Sequence, residues 1–456
     1  MQSNEGKGKC RFRYWCILVL LLAFLGGNFT AQRVQAKGET YDDLRIFSEV
    51  LSLVQKKYVE EVKGDELVRG AIAGMLRTLD PHSSYMSPDI FKEMQVETEG
   101  SFGGLGIEIT LKDEQLTVVS PIEGTPADEA GIKAGDRILK VNGESTRDFT
   151  LLEAVKRMRG PAGTKVILTI LREGFTETKD FELTRAIIKI KSVKWKMRDD
   201  GIGYVRLSSF NKTSTDELEK SLEEMEKKKM TGLVLDLRNN PGGLLDQAVK
   251  VTELFLKKGD LIVYTKGRSD DQNLRFVAGG KKSSYQGFPM VVLVNEGSAS
   301  ASEIVSGALQ DLGRAVILGT KTFGKGSVQT IIPLSDGSGL RLTTAKYYTP
   351  KGRSIQEKGI APDIFVENPP IDRMVKLEGP KEGPKHPQII REKDLQRHLG
   401  GEPEKESDNP TGKEVKDKPA KEGGDEESDL QLQRAHDLLK GLTIFKKILV
   451  TSLAEK

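Results

Sequence analysis

Cysteine is almost missing from this 456-residue chain: Cys10 and Cys16 are its two cysteines, and both precede residue 17. Everything after them lacks a thiol. That excludes a disulfide framework, a Cys-ligated zinc or iron–sulfur site, and a cysteine nucleophile in the folded body. Histidine is scarce too, with His82, His386, His398 and His436 and no HExxH pattern. The last three fall in a polar tail, so a Ser-His-Asp triad could draw on His82 alone, and the base of any hydrolase must be sought elsewhere. Charge of one sign is also lacking: 70 Lys+Arg against 67 Asp+Glu leave a formal +3. That balance carries no electrostatic footprint for nucleic acid. The apolar run Tyr14–Leu25 is shorter than the ~20 residues of a comfortable membrane span.

What is present begins with that run. Lys7, Lys9, Arg11 and Arg13 precede it, and Gly26-Gly27 and Val34-Gln35-Ala36 follow it. A basic stretch, an apolar core and a small-residue site predict a signal peptide over 1–36. Its cleavage leaves an exported, periplasmic or cell-envelope protein without thiols; left uncleaved, it would anchor the chain to the inner membrane.

At ~150 residues per domain the length allows about three units. Apolar spacing of three and four predicts a helical region over 37–94, closed within by Asp80-Pro81. Residues 95–182 switch to short strands between glycine and proline turns, with one helix at Leu151–Arg159. Over 183–367 strands and helices alternate, an α/β pattern with a partly parallel sheet. Residues 368–427 are rich in Pro, Lys, Glu, Gly and Asp, and are expected to form a disordered linker. Residues 428–456 hold an amphipathic helix, Leu430–Leu449, expected to dock on the body or on a partner subunit.

In the strand-rich stretch, Ser101-Phe102-Gly103-Gly104-Leu105-Gly106-Ile107 is followed by Ser120–Ala127, Ala130–Ile138 and Val141-Asn142-Gly143. These segments resemble, in order and spacing, a PDZ domain of the bacterial protease type. A glycine loop offers backbone N–H groups to a terminal carboxylate, and the strand after it accepts an extended peptide by edge pairing. The resemblance implies that Gly104, Leu105, Gly106 and Ile107 bind the C-terminus of a peptide.

Farther on, strand Met290–Asn295 runs into Gly297-Ser298-Ala299-Ser300-Ala301-Ser302-Glu303 and an apolar helix. Read alone, the serines are N-caps, with Glu303 completing a capping box to Ser300. A serine there also lies among unpaired N–H groups at a positive helix end, which favours an oxyanion. Gly319–Gln329 imitates a Walker A loop, but Gly326 stands where Ser or Thr must hold magnesium and the sequel is strand-like, so a nucleotide site is rejected.

Together with Leu79–Tyr85, Leu235–Leu244 and Phe323–Gln329, these segments resemble the C-terminal processing peptidases, tail-specific serine proteases with a PDZ domain. The resemblance implies a multidomain α/β protein: a ClpP/crotonase-like protease core with an inserted β-rich PDZ domain, a helical N-terminal region, and a disordered C-terminal linker plus helix. It implies a serine endopeptidase that cuts exported proteins near their C-termini through an acyl-enzyme, gated by the PDZ domain and using no metal or other cofactor. It places the nucleophile at Ser300, the base at Lys325 and the lysine's orienting partner at Gln329, with Ser298 and Ser302 as local ambiguities. Backbone N–H groups of Gly243 and Ala301 are expected to form the oxyanion hole, Gly242 being the neighbouring choice. The expected partners are protein or peptide substrates held by their C-termini and no nucleic acid; the resemblance leaves room for a homo-oligomer, an activating adaptor protein and membrane association.

A lysine serves as base only when neutral, so its pKa near 10.4 must fall by ~3 units, a differential of about 4 kcal/mol that burial can supply. In a straight strand Gln329 would lie ~13 Å from Lys325, so contact requires a bend. The rival readings are a non-catalytic PDZ scaffold on a degenerate core and a crotonase-like acyl-transfer enzyme.

Overall fold

The structure, a computed structural model, describes residues 41–280, 285–367, 390–401 and 429–454. The expected signal peptide lies outside them. They divide into two compact units, the first ending at Thr78 and the second starting at Leu79. The first unit holds helices α1 (41–57) and α2 (Gly64–Arg77). Asp65 and Glu66 in the first turn of α2 and Arg77 in its last complement the helix dipole.

The second unit opens with β1 (Ser84–Met86), α3 (Pro88–Glu99) and β2 (Ser101–Gly104). Helix α3 starts on Pro88 and stops at Gly100, whose φ of 70° supplies the left-handed cap. A β-rich module follows, made of β3 (Ile107–Lys112), β4 (Gln115–Pro121), α4 (Pro126–Glu129), β5 (Arg137–Val141), β6 (Glu144–Ser145), α5 (Leu151–Met158), β7 (Lys165–Leu171) and β8 (Lys179–Thr184). Its main sheet runs β3-β4-β5-β7-β8, so β3 is an edge strand. Val166, Leu168 and Ile170 alternate inward along β7 and join Leu116, Val118 and Ile138 in the module's own core. Strand β9 (Ala186–Lys189) pairs with β2 and carries the chain back out.

The body comprises β10 (Val193–Met197), β11 (Ile202–Leu207), α6 (Ser214–Lys227), β12 (Gly232–Asp236), α7 (Leu245–Glu253), β13 (Leu261–Gly267), β14 (Arg275–Val277), β15 (Met290–Val294), α8 (Ala301–Asp311), β16 (Val316–Gly319), β17 (Ser327–Pro333), β18 (Gly339–Tyr348), β19 (Ile364–Phe365) and α9 (Leu430–Ala454). One sheet runs β10-β11-β12-β15-β16-β19, parallel throughout except for β10. Its central strands are buried on both faces, which explains their unbroken apolar sequence. Leu233, Leu235, Val292 and Val294 face the α6–α8 side, whereas Val234, Val291 and Leu293 face Leu432, Ala435 and Leu439 of α9. The amphipathic tail helix therefore docks on the body. A second, antiparallel sheet is centred on β18, which pairs with β17, β1 and β13.

One expectation needs correction. Residues 390–401 fall inside the stretch read as a disordered linker, yet they pack on the body, and Glu392 is 0% exposed. The low apolar content misled because this segment is fixed by polar bonds. The rest of that linker, 368–389 and 402–427, lies outside the described residues.

Leu439, fully buried, faces Gly232, where an added Cβ would come within 3.6 Å of its side chain. Leu439→Ala is expected to lower stability by about 2–5 kcal/mol, read as an earlier midpoint in urea.

Candidate active site

Strands β12, β15 and β16 are parallel neighbours, so their C-terminal ends deliver three loops to one edge of the sheet, the usual location of a site in such a fold. The loop after β12 carries Asn240-Pro241-Gly242-Gly243. Buried Asn240 donates to the Leu207 carbonyl at 2.8 Å and accepts the Gly242 N–H at 2.9 Å. Phe210 N–H donates to the Gly242 carbonyl and Leu244 N–H to the Phe210 carbonyl. A Cβ on Gly243, whose φ is 145°, would stand 2.2 Å from the Phe210 carbonyl oxygen, so the close approach demands glycine. Stitched in this way, the loop leaves the Gly243 N–H with no acceptor among the described residues. The Gly242 N–H, by contrast, is spent on Asn240.

The loop after β15 separates its three serines by what their hydroxyls do. Ser298, fully buried, donates to the Leu237 carbonyl at 2.8 Å, and Ser302, fully buried, to the Asn240 carbonyl at 2.8 Å. Both fasten this loop to its neighbour. Ser300 is half-buried and sits at φ 53°, a left-handed conformation rare for serine and costing on the order of 1–3 kcal/mol. Its backbone N–H donates to Glu303 at 2.9 Å. The Ala301 N–H, first in α8, has no acceptor among the described residues. Gly242 lies against this turn: an added Cβ would come within 2.9 Å of both Ser300 Cβ and Ala301 N.

The third loop, after β16, carries Lys325. It is held to the serine loop by Glu303, which is buried and accepts from Thr322 Oγ1 at 2.5 Å, Gly324 N at 2.8 Å and Lys325 N at 2.9 Å. Burial pushes the Glu303 carboxyl up to about 7, against the pull of those donors and of Ser300 N. The capping box expected from sequence is thus one part of a larger clamp. The phenol of buried Tyr347 donates to the Lys325 carbonyl, with the Ser300 hydroxyl near it. Burial pushes this phenol well above its usual range, so it stays protonated.

The Lys325 amine is half-buried. Burial pushes it below the ordinary lysine range, Glu392 pulls the other way, and Arg341 adds to the downward shift. No hydrogen bond joins Lys325 Nζ to Ser300 Oγ among the described residues. Nor does Gln329 reach the lysine: its amide donates to Ser327 Oγ at 2.9 Å and Thr343 Oγ1 at 3.4 Å. A bulge between Val328 and Gln329 supplies a bend, but turns the side chain toward β18. Asp80 accepts from Ser83 Oγ and from the N–H groups of His82 and Ser83, which anchors the turn before β1. The His82 ring pairs with Glu392 instead. Sequence reading did not find Tyr347 or Glu392, and no local pattern marks either of them.

In the β-rich module, Leu105 and Gly106 link β2 to β3. Their carbonyls accept from Ala127 N at 3.0 Å and Ile122 N at 2.8 Å, while their own N–H groups have no acceptor among the described residues. Gly106, at φ 76°, packs so tightly that a Cβ would stand 2.3 Å from Thr125. Gly104 ends β2, paired with Ala186, and Ile107 begins the edge strand β3.

Three stretches of the chain match known protein families. Residues 201–366 match peptidase family S41, 117–172 match a PDZ domain, and 27–90 match the N-terminal domain of the activating protease CtpB. The carboxy-terminal-processing protease of Bartonella bacilliformis is 46% identical over 418 residues, covering 90% of this chain and 92% of that protein. The carboxyl-terminal-processing protease of Synechocystis is 39% identical over 387 residues, covering 80% and 90%. The carboxy-terminal processing protease CtpA of Bacillus subtilis is 37% identical over 365 residues, covering 79% and 77%.

Glu303→Gln leaves one acceptor oxygen for four donors and sets an NH₂ group against N–H. It is expected to cost about 2 kcal/mol or more in urea denaturation and to reduce peptidase activity at least tenfold.

Proposed function

Because this chain belongs to the carboxy-terminal processing proteases of peptidase family S41, and is a serine-type peptidase, we propose that it cuts exported proteins near their C-termini with a Ser300–Lys325 dyad. The observation that carries this reading is the setting of Ser300. It alone of the three loop serines has a hydroxyl not spent on fastening loops, and it adjoins the unpaired N–H groups of Gly243 and Ala301.

Neutral Lys325 takes the hydroxyl proton as Ser300 Oγ attacks the scissile carbonyl, and the two N–H groups receive the oxyanion. The lysine then returns the proton to the leaving amine. Water, deprotonated by the same lysine, resolves the acyl ester. Arginine could not substitute, since it does not deprotonate. Gln329 takes its assigned place beside Lys325 only after its side chain leaves Ser327 and Thr343.

With no hydrogen bond between Ser300 Oγ and Lys325 Nζ among the described residues, this is a resting arrangement, and the PDZ module is the proposed trigger. The β3 edge and the free N–H groups of Leu105 and Gly106 offer a seat for a substrate C-terminus. The route inward is α3, which pairs Asp89 with Lys156 at 2.8 Å and Glu93 with Arg159 on the PDZ side, and receives the Lys212 N–H on the Thr98 carbonyl at 3.0 Å on the body side. Export to the cell envelope, assembly into a homo-oligomer and an activating adaptor belong to the same reading. They draw support from the signal-like N-terminus, the apolar side chains Leu44, Phe47 and Val50 exposed on α1, and the match to the CtpB N-terminal domain.

Ser300→Ala and Lys325→Ala are each expected to reduce cleavage of an unfolded protein about a thousandfold or more. Wild-type activity should rise with pH along a limb below the ~10.4 of an ordinary lysine, because the base is the deprotonated amine. Fragment mass spectrometry against pH checks both. Fragments that persist in the Ser300→Ala sample would remove the nucleophile assignment.

A further inference from the structure

Glu392 is a fully buried carboxylate brought to the lysine loop by residues remote in sequence. Its oxygens lie 2.9 and 2.8 Å from His82 Nε2, and one accepts from Gln356 Nε2 at 2.8 Å. Its backbone N–H donates to the Phe323 carbonyl at 3.3 Å. Gln356, also 0% exposed, accepts the Gly326 N–H on its other side-chain atom at 2.9 Å. An unbroken chain of bonds thus runs from Glu392 through Gln356 to Gly326, next to Lys325, while Phe323 is held from the other side. The segment is pinned farther along as well: Gly401 N–H donates to Glu357 at 2.7 Å and Lys346 Nζ to the Gly400 carbonyl at 2.6 Å.

We propose that Glu392 is a positioning residue for Lys325: its carboxylate braces the lysine loop through Gln356, and its charge balances the ammonium that forms when Ser300 is deprotonated. This rests on the reading of Lys325 as the base. A buried carboxylate costs free energy unless its charge is met. Here a half-buried amine must be neutral before attack and cationic after it, and a fixed anion favours the second state. The charged groups around Lys325 are Glu392, itself paired with His82, Arg341 from β18, Glu303 from α8, and Asp80 from the turn before β1. Glu303 and Asp80 each accept from four donors, whereas Glu392 is met by two groups, His82 and Gln356. Among the anions, Glu392 exerts the largest pull on the lysine.

The test uses the full chain and reads Lys325 directly, by trace acetylation with acetic anhydride across pH 6–11 followed by mass spectrometry, alongside cleavage of fluorescein-labelled casein. Glu392→Gln keeps the shape and most of the brace but removes the charge. It should move the Lys325 midpoint, and the acid limb of cleavage, down by about one pH unit. Gln356→Ala keeps the charge and cuts the brace. It should reduce cleavage at least fivefold with the Lys325 midpoint unmoved, which keeps the idea testable if Glu392→Gln does not fold. An unshifted midpoint in Glu392→Gln, or unchanged cleavage in Gln356→Ala, overturns the proposal. Lys325→Ala serves as the separate control: near-normal cleavage there would overturn the base assignment itself, whereas a dead Lys325→Ala with an unshifted Glu392→Gln overturns the positioning role alone.

Discussion

A single carboxylate holds the candidate site together. Glu303 accepts from the backbone of Ser300 on one loop and of Gly324 and Lys325 on another, with Thr322 added through its hydroxyl. Neither loop has regular secondary structure to fix it, and Ser300 sits in a conformation that serine rarely adopts. The bonds to Glu303 offset that strain. Their geometry also sets the spacing between the serine and lysine loops, since the Ser300 and Lys325 amides meet on one oxygen, Glu303 Oε2. The cost is visible in the acid's own chemistry, because burial lifts its carboxyl to about 7, close to the point where it would lose its charge.

The rest of the fold brings that carboxylate and its donors to one place. Parallel order in the main sheet aligns the ends of β12, β15 and β16, and side-chain bonds from Ser298, Ser302 and Asn240 lock the first two loops together. Beneath them Arg238 joins Asp236, at the end of β12, to Asp429 at the start of α9, with bonds of 2.7 and 2.8 Å. The antiparallel sheet supplies Tyr347 and lines the lysine with Arg341. Chemistry borne by the loops is therefore backed by two sheets and a tail helix.

Much of this was legible in the sequence, and where it was not the reason is physical. The buried strands Gly232–Asp236 and Met290–Val294 announce themselves as apolar runs bounded by turn residues, and α8 by its serine caps. The PDZ module showed in its glycine and proline turns. Strand β18, with Leu340, Leu342 and Ala345 set among Arg, Thr and Lys, gave no such signal, so Tyr347 went unnoticed on a strand that was not foreseen. His82 is the one histidine a triad could draw on, but its backbone serves the Asp80 turn. What its ring does depends on Glu392, 310 positions later, beyond any local pattern. Gln329 shows the opposite difficulty: a resemblance can name a residue's role while leaving open which way a bulge will aim it.

The order of elements along the chain has a consequence for how the molecule is made. Helix α9 follows in sequence every strand it packs on, yet it covers Val234, Val291, Leu293 and Leu318 of the main sheet. Until α9 has been made and docked, that face of the sheet stays greasy and open to water. Translation that stops early therefore yields a sticky chain, suited to capture by chaperones or destruction, rather than a stray working peptidase.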